Sequence, residues 1–150
     1  MKKKLLAGLL AAAMVFSLAA CGGSGGSSDE GGSDDAAEGK DASEVKVGIV
    51  TDTGGVNDGS FNQSAWEGVS RAADEFGITV KYLESSTDAD YIPNIETFVD
   101  EEYDLIICIG YQLADALKEE ATANPDINFA IVDDATNADL DNVACLMFES

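Results

Sequence analysis

The sequence predicts an α/β fold, a parallel sheet with helices on both faces, and three observations carry the prediction. Short β-branched apolar runs alternate with helical segments of about ten to fifteen residues, the pattern of successive βαβ units. Leu105-Ile-Ile-Cys-Ile109 is apolar without interruption, as a central parallel strand covered on both faces must be. Val45 to Gly68 reads as strand, glycine loop and helix, with the loop where open α/β sheets bind their ligands.

Taken in order, the chain opens on Lys2, Lys3 and Lys4, then an apolar stretch from Leu5 to Ala20, followed by Cys21. A positive segment, a short apolar one and small residues before a cut describe a secretory signal. With cysteine directly after Leu18-Ala19-Ala20, residues 1–20 resemble a bacterial lipoprotein signal peptide, cleaved before Cys21 and lipidated there. The apolar stretch is short for a membrane span of about 20 residues. From Gly22 to Glu44 stand seven Gly, five Ser and seven acidic residues. Such a composition cannot bury enough apolar surface to fold. Residues 21–44 are therefore expected to be a lipidated cysteine and a flexible linker, with a typical end-to-end distance of ~25 Å.

The folded part is expected over 45–150. Val45, Val47, Ile49 and Val50 make the first strand, ended by Asp52, and glycines 54, 55 and 59 turn the chain. Ser60 with Gln63 reads as a capping box. The helix it starts carries Phe61, Ala65, Trp66, Val69, Ala73 and Phe76 at helical spacing. Ile78–Leu83 is the second strand. Pro93 suits the first turn of a second helix, whose buried stripe is Ile92, Ile95, Phe98 and Val99. After the central strand comes Gly110, then a third helix with Leu113, Ala116, Leu117 and Ala121 inward, ending before Asn124-Pro125. Ile127–Val132 is the fourth strand, with Asp133-Asp134 at its carboxyl end. Asn142–Phe148 reads as a further strand with no helix after it. The expectation is a chain cut short, which folds marginally and binds ligand weakly for want of a second wall.

Cys108 and Cys145 lie in apolar strands, where a thiol behaves as a small hydrophobe. In a flavodoxin-like strand order one strand separates them, and two spacings of about 4.8 Å exceed the reach of a disulfide. No bridge is expected.

Charge narrows the function. Beyond Cys21 the basic residues are Lys40, Lys46, Arg71, Lys81 and Lys118, against 29 acidic ones, a net charge of −24. Nucleic acid and anionic membrane surfaces are poor partners for such a surface, because both rely on Lys and Arg to neutralise phosphate. The chain holds no histidine, which removes the usual general base and any Cys/His metal cluster. Gly54, Gly59 and Ser60 have Walker A spacing, but Asp58 precedes Gly59 and the lysine is missing. Asp52-Thr53 with Asn57-Asp58 is superficially like the calcium loop of nucleoside hydrolases. Gly54 stands where that pattern has an aspartate, leaving too few oxygens for calcium. No catalysis, metal or cofactor is expected.

Val47-Gly-Ile-Val-Thr-Asp52, Asp58-Gly-Ser-Phe-Asn-Gln-Ser-Ala-Trp-Glu-Gly68, Asp88-Ala-Asp-Tyr91 and Phe129-Ala-Ile-Val-Asp133 together resemble the basic membrane protein family. These are lipid-anchored nucleoside-binding components of ABC importers with the type I periplasmic-binding-protein fold. The resemblance implies the N-terminal lobe of a two-lobed protein on the extracytoplasmic face of the cell membrane. It also implies a permease and ATPase complex as partner. Carried over by position, Asp52, Phe61, Asn62 and Asp133 (or its neighbour Asp134) are the ligand-binding residues, and Cys21 is the lipid attachment site. The chemistry agrees: carboxylates at strand ends accept from base N–H groups and sugar hydroxyls, and Phe61 can stack on a base. Nucleosides, purines foremost, are the expected ligands. A different polar small molecule such as a sugar, or a surface lipoprotein acting as adhesin or sensor, are the alternatives.

Overall fold

The apolar runs form five parallel strands, β1 (Lys46–Val50), β2 (Thr79–Leu83), β3 (Leu105–Ile109), β4 (Asn128–Val132) and β5 (Val143–Leu146). The structure is a computed structural model and describes residues 40–148. The expected signal peptide, Cys21 and most of the expected linker lie outside the described residues. The strands lie side by side in the order β2-β1-β3-β4-β5, the flavodoxin-like arrangement. Three helices alternate with them, α1 (Phe61–Phe76), α2 (Tyr91–Asp100) and α3 (Ala114–Ala123).

Register shows which residues share a face. Gly48 pairs with Ile106, and Ile106 with Phe129. This row and its neighbours Val50, Cys108 and Ile131 meet Ile95, Phe98, Leu113 and Leu117 of the α2–α3 layer in one buried cluster. On the opposite face Ile49 pairs with Tyr82, whose ring meets Trp66 of α1 edge-on at 4.8 Å between centroids. Helices thus cover both faces, as the uninterrupted apolarity of β3 requires.

The sequence stripe on α1 is only partly buried. Trp66 and Val69 are half-buried, but Phe61 and Phe76 are 46% and 58% exposed, and the one fully buried residue of α1 is Asn62. The helix, about 24 Å long, exceeds the five-residue strand of about 17 Å, and Phe76 stands at its last position. Its cap also differs from the expected box. Ser60 is the N-cap residue but makes no side-chain cap bond. Asp58 takes that role, its Oδ1 accepting from the backbone N–H of Ser60 at 2.7 Å and of Gln63 at 3.1 Å, while Gln63 Oε1 accepts from Gly59 N at 3.2 Å.

Two further boundaries move. Ala42–Glu44 forms a 3-10 turn and Lys40 pairs with Asp104, so the end of the expected linker is part of the folded unit. β4 and β5 are joined by turns over 133–142 rather than by a helix. Asn142 ties that link down, its Nδ2 lying 3.0 to 3.2 Å from the carbonyls of Ala121, Asn124 and Ile127. Cys108 and Cys145 are free and sit in one row with Ile131 between them, which keeps them apart.

Candidate functional site

In this strand order β1 connects to β2 on one side and β3 to β4 on the other, so the topological switch lies between β1 and β3. Open α/β sheets bind ligands at the carboxyl ends of the strands beside such a switch. There the structure has a cavity of about 250 Å³. Asp52, Asp58 and Ser60 line it from the loop after β1, Phe61 from the start of α1, and Ile109, Gly110, Tyr111 and Gln112 from the end of β3. Asp133 closes the set from the end of β4. Three of the nine lining residues are aspartates and none is cationic.

Asp52 ends β1 half-buried. Its Oδ1 accepts from Gly54 N at 2.9 Å and from Asn62 Nδ2 at 2.7 Å. Its Oδ2 lies 3.6 Å from the point where a side chain at Gly110 would begin. Gly110 has φ +97°, a conformation other residues rarely adopt. A side chain there would meet Gln112 Oε1 at 2.9 Å, so glycine leaves room for the Gln112 amide beside Asp52.

Asp133 has φ +61°, which aspartate tolerates better than most residues, and its backbone N–H bonds to Leu146 O at 2.9 Å. Its side chain is exposed at the cavity. Asp134 is occupied otherwise, accepting from Thr136 N at 2.8 Å. Of the two aspartates left open by the sequence, the structure brings Asp133 to the cavity.

Phe61, at the first position of α1, presents an exposed ring that also meets Phe148 at 5.3 Å between centroids. Asn62 differs from the other three expected residues. It is 1% exposed and does not line the cavity. Its Nδ2 bridges Asp52 Oδ1 at 2.7 Å and Asp58 Oδ2 at 3.0 Å. Its Oδ1 is buried with no partner among the described residues. Asp58 receives four hydrogen bonds in all. Burial pushes its carboxyl up, but the N–H groups of Ser60, Gln63 and Asn62 outweigh that and hold it below the ordinary carboxylate range.

Sequence reasoning passed over Asp58, Gly110, Tyr111 and Gln112 as site residues. The signal for the last three was present, since they directly follow the carboxyl end of β3. A larger cavity of about 450 Å³ opens at the amino-terminal end of the strands, with Lys40, Lys46, Glu102, Asp104 and Asp126 among its lining. Within it Lys40 pairs with Asp104. Among the described residues no group of His, Cys, Asp and Glu could hold a metal ion, and no helix is long and apolar enough to cross a membrane.

Comparison with known proteins identifies the family. Residues 45–150 match the Bmp family, described as ABC transporter substrate-binding protein PnrA-like. The chain is 45% identical to a CD4+ T-cell-stimulating antigen of Listeria innocua over 99% of its own length and 42% of the relative's. It is 39% identical to the ABC transporter nucleoside-binding protein BmpA of Lactococcus lactis, covering 89% of this chain and 37% of that one. The chain therefore spans less than half the length of these relatives. Among solved structures it resembles an ABC transporter solute-binding protein of Aeropyrum pernix, at 33% identity and a TM-score of 0.62, over 67% of this chain and 28% of the other. A solute-binding protein of Conexibacter woesei matches at 30% identity and TM-score 0.62, over 70% and 35%. The chain belongs to the Bmp family of PnrA-like ABC transporter substrate-binding proteins, a family that binds substrates and is not one of enzymes.

Proposed function

We propose that this chain supplies one wall of a nucleoside-binding site in a lipid-anchored, extracytoplasmic component of an ABC importer, with purine nucleosides as the favoured ligands. The observation that carries the reading is the cavity lining: carboxylates at the ends of β1 and β4, an exposed phenylalanine ring, and no cation. Carboxylates accept from sugar hydroxyls and base N–H groups, and an aromatic face stacks on a base. Asp52, Phe61 and Asp133 are the contacts proposed here. The relative in Lactococcus lactis that is named nucleoside-binding supports the same ligand class, and relatives named lipoproteins support an anchor at Cys21. The partner is the importer's permease with its ATPase.

Calorimetry on the full chain with inosine, adenosine, cytidine and ribose tests the ligand. Nucleosides should bind and ribose alone should bind far more weakly, because it offers Phe61 no base. Ribose binding as tightly as inosine would overturn the reading in favour of a sugar. Replacing Cys21 by serine should abolish lipid attachment; a Cys21→Ser protein that still partitions into detergent would remove the anchor from the proposal.

A further inference from the structure

Asn62 is an unusual choice for the one fully buried residue of α1. A buried polar group is normally satisfied, yet its Oδ1 has no partner among the described residues. Stability alone gives no reason to keep a half-satisfied amide at 1% exposure. Its nitrogen explains it. Nδ2 carries two hydrogens, and two carboxylate oxygens stand at 2.7 and 3.0 Å, one from Asp52 and one from Asp58. The opposite amide orientation would set Oδ1 against both carboxylates, so the donor side must face them.

The two aspartates are not equivalent. Asp58 is fixed by the first turn of α1, its Oδ1 engaged by Ser60 N and Gln63 N and its Oδ2 by Asn62 N. Asp52 ends a strand and carries a single further bond, from Gly54 N to the same Oδ1. A shared donor between a fixed carboxylate and a less constrained one transmits position from the first to the second. It also separates two like charges that would otherwise repel. The result is an Asp52 whose Oδ1 is used up and whose Oδ2 lies on the side of Gly110, which lines the cavity together with Gln112.

We propose that Asn62 is a positioning residue, anchored on Asp58, that locks the Asp52 carboxylate with its free oxygen toward the cavity and does not itself touch the ligand. The proposal rests on the nucleoside reading only for what Asp52 grips; the lock is a property of the unliganded chain.

Two measurements on the full chain separate these levels. In the unliganded protein, side-chain amide NMR should find both Asn62 Nδ2 protons exchanging slowly, with Asp52→Ala or Asp58→Ala each releasing one of them. Rapid exchange of both in the unsubstituted chain overturns the lock. For ligand binding, Asn62→Leu should weaken inosine about 10- to 100-fold, the worth of one hydrogen bond to a charged group. In an Asp52→Ala background the same change should cost less than about threefold, since contacting residues are not additive. Equal losses in both backgrounds would mean that Asn62 merely supports α1, and the proposal fails. Protected protons in a chain that binds no inosine leave the lock standing and overturn the nucleoside reading instead.

Discussion

Gly48 pairs with Ile106 and faces the ring of Phe98 so closely that a Cβ there would lie 2.7 to 2.8 Å from three ring carbons. Phe98 is fully buried and has no room to retreat. Gly48→Ala should therefore cost about 1–3 kcal/mol, as overpacking in a core does, read as a lower urea midpoint at unchanged slope. Asp133 poses the reverse case, because its backbone is strained while its side chain is free. With φ at +61°, Asp133→Gly should keep or slightly raise stability and still weaken inosine binding. Asp133→Ala should lose both, with the left-handed conformation costing about 1 kcal/mol. Thermal melts and calorimetry on the same two variants check this. Equal binding by Asp133→Gly and the unsubstituted chain would remove Asp133 from the site.

Asp58, just ahead of α1, and Glu120, on α3, have environments that set pH responses of opposite sign. Asp58 caps α1 and its carboxyl is held below the ordinary range by the N–H groups it accepts. A group depressed on folding stabilises above its unfolded value of about 4 and loses that contribution as pH falls through the folded value. Asp58→Ala should cost about 1 kcal/mol at neutral pH, in the range of lost N-caps, and progressively less in acid. Glu120 of α3 is 7% exposed. Burial, then Glu96 and Glu119, push its carboxyl up. A raised carboxyl favours the folded state below its unfolded value and loses that benefit as pH rises through the folded one. Glu120→Gln should thus raise the melting temperature at pH 7 while giving no advantage near pH 4. A melting temperature lowered at pH 7 would show that the bond from Asn124 Nδ2 to Glu120 Oε2, at 3.3 Å, outweighs the burial of charge.

Over the whole molecule, the acidic excess and the absence of any cation from the cavity lining act together on the choice of ligand. Inosine should bind at least about tenfold more tightly than its monophosphate, since a dianion near three aspartates meets repulsion worth roughly 1 kcal/mol or more per close charge pair. The gap should narrow as salt shortens the screening length. Competition calorimetry at low and high salt measures both. A monophosphate that binds as well as the nucleoside at low salt would mean that cations reach the ligand from outside this lining.

Periodicity and residue type are enough to place the five strands and three α-helices of the described residues within a few residues, because an apolar run between turn residues has few places to go. Leu105–Ile109 needed nothing more than its unbroken apolarity, and Asp52 and Asp133 were recognisable as strand-end carboxylates. Other features depend on what meets what in space. That Phe61 meets the ring of Phe148 depends on where the chain runs after β5. That Asp58 and not Ser60 caps α1 follows from the turn at Gly59, where φ is +66°. Asn62 shows the difference most clearly. Its position in the motif marked it as a ligand contact, but burial between two carboxylates turns its donors inward. A sequence records which groups are available; which of them face each other is decided only when the strands align and the loop closes over them.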